Sequence, residues 1–419
     1  MRRPSPRERM KRIERVKLYP TASQGARLQA CLGVCRELYN AALEQRRDAW
    51  RSRRLRIDHK RQYAELTELR AVDPRVASIY RELQDAALHK LDLAFRAFFS
   101  RCKKGEAPGY PRFRSARRYR SLEFPHGNRA LKFNGAQTKV KVPGVGSVRL
   151  RRGRAVPAFG RAMLVHSARG WYVLFECERA ASPLPATGKV VGVDVGIAAF
   201  YATSDGHIEP NLRLGRKRAA HIARLQRIIA KRLRGSAGRR RAVKALARAQ
   251  DRLRWARRDW HHKQARKLVM CYEAIAFEKL PLRSMTTSAK GSVQFPGKNV
   301  RQKSGLNRAI LDASWSQFTK IAVDKAEEAG RQVVFVNAKH TSQTCSKCGC
   351  VDAANRCTQA DFVCLSCGYA LHADVNAAIN ILKRATLSPA GRGAALADPT
   401  DPRSVLSPGR TRLAQHDAA

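Results

Sequence analysis

Two Cys-x-x-Cys pairs, Cys345-Ser-Lys-Cys348 and Cys364-Leu-Ser-Cys367, stand fifteen residues apart near the C-terminal end of the chain. Thiolates separated by two residues reach one ion from a single tight turn, and two such turns complete a tetrahedral Cys₄ zinc site. Gly349 and Gly368 follow the two pairs, where a knuckle turn needs a residue without a Cβ. Without a metal, the segment would be a short, loop-rich stretch with almost no core. One structural zinc on Cys345, Cys348, Cys364 and Cys367 is therefore expected. Cys350 and Cys357 lie off register between the pairs and are read as bystanders. An acid follows almost at once, in Ala373-Asp374-Val-Asn376-Ala-Ala378.

Charge narrows the partners. The chain has 419 residues, enough for two or three domains, with 83 Lys+Arg against 33 Asp+Glu and a formal net charge of +50. Such an excess calls for a polyanion, and nucleic acid fits it best. The predominance of Arg suits forked contacts to phosphates and base edges. No apolar h-region follows the basic N-terminus, and no stretch has the length of a membrane span. A cytosolic, nucleoid-associated protein is expected. Its eleven cysteines are then reduced, with the clustered ones binding metal rather than forming disulfides. Cys31 and Cys35 read as core residues of a helix, and Cys102, Cys177 and Cys271 as inert.

Hydrophobic periodicity divides the chain. Residues 14–20 read as a strand ended by Pro20, and Thr21-Ala-Ser-Gln24 as the capping box of the next helix. That helix places Leu28, Cys31, Leu32, Cys35, Leu38 and Ala42 on one face. A second helix is expected over 76–101, with a polar, Arg-rich stretch between the two. Short alternating runs from 120 to 178 predict a small antiparallel barrel or sheet, joined by the strand at 14–20. The helical lobe would then be an insertion in a β-domain. Farther on, Lys189–Thr203 reads as two apolar strands, 216–273 as a basic helical hairpin, and Ala274–Glu278 as another strand. In the hairpin, Ile222, Leu225, Ile229 and Leu233 are expected to face Val243, Leu246, Ala249 and Leu253. Residues 283–305 read as a mobile loop, 306–329 as a helix and 332–337 as a strand. Beyond 386 the Pro-, Gly- and Ala-rich sequence predicts a disordered tail.

Three acids stand out by position. Asp194 lies inside the apolar run Val-Gly-Val-Asp-Val-Gly, where an unpaired carboxylate costs several kcal/mol. Glu278 ends a strand, and Asp374 begins a helix. Singly, each has an ordinary structural reading; Asp374, for example, could cap its helix. Together they could converge on two Mg²⁺ ions, whose preference for oxygen ligands suits carboxylates. Such a pair activates a water and stabilises the leaving oxygen in phosphodiester hydrolysis. Candidate nucleic-acid contacts are Arg51, Arg53, Arg54, Lys103, Lys104, Arg112 and Arg114, with Tyr110 and Phe113 available to stack on bases.

Val-Gly-Val-Asp194-Val-Gly-Ile, Phe-Glu278-Lys-Leu and Asp374-Val-Asn-Ala-Ala resemble the three RuvC-type motifs of TnpB, the RNA-guided nuclease of bacterial insertion sequences. The resemblance extends over about residues 14–383. It includes Lys17-Leu-Tyr-Pro-Thr21, Cys35-Arg-Glu-Leu-Tyr-Asn40, Gly109-Tyr-Pro-Arg-Phe113, Lys303-Ser-Gly-Leu-Asn-Arg308 and Thr341-Ser-Gln-Thr-Cys345-Ser-Lys-Cys348-Gly. Compact type V CRISPR effectors are similar in the same nuclease half. Two positions depart from the family pattern: Lys279 stands where an acid often follows the Glu, and His372 where another Asp often stands. The resemblance implies an α+β multidomain protein with an RNase H-like (RuvC) nuclease domain, a zinc ribbon, and a β-barrel wedge domain carrying a helical recognition lobe. Its expected bounds are 1–20 and 103–186 for the wedge and 21–102 for the lobe. The nuclease domain would span 187–340, the ribbon 341–369, the last nuclease helix 370–385 and the tail 386–419. It further implies a noncoding guide RNA, a short motif beside the target, and cleavage of double-stranded DNA by Asp194, Glu278 and Asp374. The alternatives are a silent RNA-guided repressor, against which stand the three intact acids, and a compact type V CRISPR effector. A transposase reading has no recombinase Tyr or Ser constellation to support it.

Overall fold

The structure, a computed structural model, describes residues 9–151 and 155–387. The tail expected over 386–419 thus lies outside the described residues, apart from its first two, which end a helix. The chain separates into two compact units, Met1–Ala180 and Ala181–Ala419.

The first unit starts with strand β1 (Arg9–Tyr19). Helix α1 (Ala22–Arg53) opens with the reciprocal capping box of Thr21 and Gln24, so two orphan backbone N–H groups are satisfied at its start. Next come α2 (His59–Val72), α3 (Pro74–Ala77) and α4 (Arg81–Lys103). The polar stretch between the two expected helices is therefore itself helical. Its buried residues are Gln62 and Leu66, too few to give an apolar period. What holds it is polar: Arg46 donates to Gln62 at 2.9 Å, and Gln62 donates to the Ala42 carbonyl at 2.9 Å. The expected helix at 76–101 is split at residues 78–80, and its main part is α4.

The chain continues through β2 (Ser121–Phe124), the single turn α5 (Gly127–Ala130), β3 (Lys132–Phe133), β4 (Lys139–Val142), β5 (Gly146–Leu150), β6 (Phe159–Ser167) and β7 (Gly170–Ala180). These strands and β1 form an antiparallel sheet of order β2-β6-β7-β1-β5-β4-β3. Strand β1 pairs β7 over Arg9–Lys17 and turns to β5 at Leu18 and Tyr19. Among the described residues no pairing joins β2 to β3, so the expected barrel is an open sheet. Helices α1 and α4 enter the chain between β1 and β2, yet they share one core with the sheet. Leu28, Cys35, Leu83 and Leu91 pack in the same cluster as Leu122, Val140 and Phe175.

The second unit begins with the meander β8 (Val190–Val195), β9 (Ala199–Thr203) and β10 (Ile208–Pro210). The hairpin α6 (Leu214–Lys231) and α7 (Ala237–Cys271) follows, then β11 (Ala274–Lys279), the short α8 (Leu282–Met285), α9 (Val300–Ala313), α10 (Trp315–Glu328) and β12 (Gln332–Asn337). The hairpin is half-buried at best on its α6 side, where no residue is fully buried. Leu233, expected in its interface, is 83% exposed beyond the end of α6. The expected helix at 306–329 is two helices, hinged at Ser314, whose φ of 55° is left-handed. Because α9 already starts at Val300, the loop expected over 283–305 is correspondingly shorter. The last elements are β13 (Asp361–Val363), β14 (Ala370–His372) and α11 (Ala373–Leu387).

The five-stranded sheet has the order β10-β9-β8-β11-β12, with β8–β9–β10 antiparallel and β8, β11 and β12 parallel. Its parallel strands are apolar because helices cover both faces. Val191, Val193, Ile275 and Phe277 pack with Leu268 of α7 and Phe318 of α10. The alternate positions face α11: Ala276 packs with Ile381, and a Cβ on Gly192 would lie 2.0 Å from the Ala378 carbonyl oxygen. Gly192 is what lets α11 lie directly on β8.

Candidate active site and cysteine cluster

Strand alternation carries the first two acids to one place. Gly192 and Ala276 face α11, so two residues on, Asp194 and Glu278 continue that same face. The paired register of β8 and β11 ends at Val193 and Phe277, and each acid is the next residue. The acids therefore leave neighbouring parallel strands side by side, about 4.8 Å apart from strand to strand. Asp374 enters from above, in the first turn of α11. The glycine after the first acid matters as well: a Cβ on Gly196 would lie 3.0 Å from the Ala199 carbonyl and 3.9 Å from Asp374 Oδ2. Trp315 Nε1 fixes this turn by donating to the Gly196 carbonyl at 3.3 Å.

The electrostatics record the convergence. Burial pushes the Asp194 carboxyl well above the usual carboxylate range, and the charges of Glu278 and Asp374 push the same way, while Arg356 opposes them. Burial also raises Glu278, against the Thr341 hydroxyl hydrogen bond and the Arg384 charge. Asp374 is held by an ion pair, Arg356 Nη2 to Oδ1 at 3.1 Å, and its backbone N–H donates to His372 Nδ1 at 3.3 Å. The three half-buried acids offer only oxygen donors, the chemistry hard divalent cations take, although among the described residues only the four cysteines already have their ligand atoms gathered within 4.8 Å. Arg356, Thr341 and Arg384 are additions that sequence spacing did not reveal, because each meets its acid only through the fold.

The four expected cysteines also converge. Sγ atoms of Cys345 and Cys367 are 3.7 Å apart and those of Cys348 and Cys364 3.5 Å, with all four ligand atoms within 4.8 Å of one another. Zinc with Zn–S of about 2.3 Å spaces tetrahedral sulfurs by about 3.8 Å, so the cluster fits that ion. The two knuckles repeat one geometry. Gly349 N–H donates to the Cys345 carbonyl at 3.0 Å and Gly368 N–H to the Cys364 carbonyl at 2.9 Å. Both glycines have positive φ, 81° and 68°. The backbone N–H of Cys367 draws the Cys364 thiol down, while against the Tyr369 N–H the hydrogen bonds with Cys348, Cys364 and Cys345 push the Cys367 thiol up, so the crowded sulfurs share protons as a unit.

The cluster is bolted to α11. Asn376 accepts from the Ser346 N–H at 2.9 Å and donates to the Thr344 carbonyl at 2.9 Å. Asn380 donates to the carbonyls of Thr341 at 3.0 Å and Thr344 at 2.7 Å. The Asn after Asp374 thus ties the first knuckle to the helix that carries the acid.

In the first unit, Arg51, Arg53, Arg54, Lys103, Lys104 and Arg112 are exposed. Phe113 is 44% exposed with the Arg47 guanidinium 5.1 Å above its ring. Tyr110 packs its ring against Phe95 and Phe98 at 5.7 and 5.3 Å. Arg114 pairs its backbone with Asn40 through two hydrogen bonds of 2.8 and 3.0 Å, which gives that residue a structural role of its own.

Residues 315–381 match the Cas12f1-like TNB domain, 172–289 a probable transposase domain and 10–54 a helix-turn-helix domain of the same insertion-sequence group. The chain is 30% identical to the putative RNA-guided DNA endonuclease InsQ of Escherichia coli (strain K12), over 89% of this chain and 92% of that protein. The chain belongs to the TnpB family. A second relative, a putative RNA-guided DNA endonuclease of Streptomyces pristinaespiralis, is 30% identical over 90% of this TnpB-family chain and 89% of its own. The fold is similar to a Cas12f1 chain from a cryo-EM structure of its complex with sgRNA and target DNA, with a TM-score of 0.54 at 14% identity, covering 86% of this chain and 83% of that one.

Proposed function

We propose that this chain is an RNA-guided, Mg²⁺-dependent DNA endonuclease in which Asp194, Glu278 and Asp374 are the catalytic carboxylates. The observation that carries the reading is the placement of Asp194 and Glu278 at the ends of adjacent parallel strands, on the face where α11 begins with Asp374. The strand order β10-β9-β8-β11-β12 supports an RNase H-like (RuvC) assignment. Two Mg²⁺ ions held there would supply charge neutralisation and an activated water for phosphodiester hydrolysis. The carboxylates must be ionised to bind them, and their mutual repulsion is the free energy that cations relieve. Gly196 keeps the approach to Asp374 clear of side chain. Arg356, paired with Asp374 at 3.1 Å, would compete with a cation held there.

Zinc on Cys345, Cys348, Cys364 and Cys367 serves structure in this reading. It holds the segment whose Thr341 orients Glu278 and whose Arg356 reaches Asp374. A guide RNA and its target would be engaged through the cationic surface, Arg51, Arg53, Arg54, Lys103, Lys104 and Arg112 among it, with Phe113 available for stacking. Pairing between guide and target then supplies sequence specificity, while the protein binds backbone and a short flanking motif.

The test is reconstitution. Protein purified with its co-expressed RNA should cut a guide-matched duplex in Mg²⁺. Asp194→Ala, Glu278→Gln and Asp374→Ala should each abolish cutting while RNA stays bound. Tight, guide-dependent target binding without any cutting by the unmodified protein would replace this reading with a repressor.

A further inference from the structure

Beside Asp374, on the meander side, lies a cavity of about 460 Å³ that this acid helps to line. Its walls come from Ala199, Ile208, Pro210 and Ala360, and its polar lining from Gln359 and His372. The volume is within the range of small-ligand sites. The lining is the unexpected part. A channel for water or for a sugar–phosphate backbone needs polar or cationic walls, and this one is mainly apolar in a chain of net charge +50. The apolar component of a nucleic-acid strand is the face of its bases.

The two polar residues are held in relation to the acid. His372 Nδ1 accepts from the Asp374 N–H at 3.3 Å, which assigns the ring proton to Nε2 and makes that atom a donor. Arg356 Nη2 reaches the Gln359 carbonyl at 2.8 Å and Asp374 Oδ1 at 3.1 Å, so one guanidinium links the cavity wall to the carboxylate. The Ala360 carbonyl accepts from the Ala373 N–H at 2.7 Å, fixing the wall to the start of α11. The cavity is thus built at a set distance from the reacting position.

We propose that this cavity receives the base of the nucleotide adjoining the scissile phosphate, so that the identity and presence of that base help decide where the strand is cut. The inference rests on the nuclease reading above. The base stacks on the apolar walls, and His372 Nε2 donates to an acceptor on its edge. His372 is then a positioning residue for this subsite.

The experiment uses the full chain with its guide RNA and a matched duplex carrying one abasic residue, scanned across the cut region. In the unmodified complex, abasic substitution at one position flanking the cut should lower the cutting rate by roughly ten-fold or more, the size of a lost base–protein stack. Ala360→Phe fills the cavity from an exposed position and keeps the backbone bond from the Ala373 N–H to the residue-360 carbonyl. It should cut slowly on the intact strand and show no further loss with the abasic residue. His372→Phe, which keeps a ring and removes the Nε2 donor, should erase the sequence preference at that position. Melting temperature and zinc content of both variants should match the unmodified protein. Cutting that is indifferent to abasic residues at every flanking position, or an equal abasic loss in Ala360→Phe, would overturn the subsite and leave the nuclease reading intact. Failure of the unmodified complex to cut any duplex would overturn both.

Discussion

Replacing Asp194 by Asn should stabilise the Mg²⁺-free protein while destroying its activity. Burial and the charges of Glu278 and Asp374 hold the Asp194 carboxyl above the usual carboxylate range, so the folded state retains its proton more tightly than the unfolded chain. Its contribution to stability is present at low pH and is lost as pH rises from the ordinary carboxylate range through the raised value. At neutral pH the ionised group is a net cost. Two unit charges about 5 Å apart repel by about 3 kcal/mol at an effective dielectric constant of 20. Asp194 and Glu278 are half-buried, and water screening reduces the figure to roughly 1–2 kcal/mol. For a unit of the size of Ala181–Ala419 this corresponds to a melting shift of about 2–8 °C. Calorimetry in Mg²⁺-free buffer, with zinc retained and no chelator present, should show Asp194→Asn melting above the unmodified protein at pH 7.5. The gap should close as pH falls into the carboxylate range. Adding Mg²⁺ should raise the unmodified protein and leave the variant nearly unmoved. A variant no more stable than the parent at pH 7.5, or equal Mg²⁺ shifts in both, would refute the idea that the acids share one repulsive site.

Gly192→Ala drives a Cβ to 2.0 Å from the Ala378 carbonyl oxygen and should lift α11 from β8. A loss of about 1–3 kcal/mol in denaturant melts, together with strongly reduced cutting, is expected. Arg356→Ala removes the partner that a cation must displace from Asp374, a pair worth about 1 kcal/mol. The Mg²⁺ concentration for half-maximal cutting should fall about five-fold, as a titration would show. Elemental analysis should return about one zinc per chain, and Cys348→Ser should lose it along with the protease resistance of the ribbon.

Local rules made much of the fold legible. The Thr21–Gln24 capping box, the glycine after each cysteine pair and the period-two runs of the sheets all act within a few residues, and each is found in its expected place. Helix α2 escaped because its inward face is Gln62 and Leu66, and its stability comes from Arg46, sixteen residues away. The break between α9 and α10 rests on one residue, Ser314, with nothing in its neighbours to announce it. The positions of the three acids were readable as unusual sites for carboxylates. Their partners were not. Thr341 meets Glu278 across 63 residues, and Arg356 meets Asp374 only because the loop between the cysteine pairs folds back on α11. The Asn376 and Asn380 bonds to the first knuckle have the same origin.

We propose one metal-dependent site, built from Asp194, Glu278 and Asp374, that cuts DNA chosen by a bound RNA. Its most direct test is a cleavage assay on the purified protein–RNA complex, with a guide-matched duplex, a mismatched duplex, and Mg²⁺ present or withheld. The matched duplex should be cut in Mg²⁺ alone, and not at all by a complex carrying Glu278→Gln. Cutting that persists in that variant, that ignores the guide, or that needs no divalent cation would contradict it.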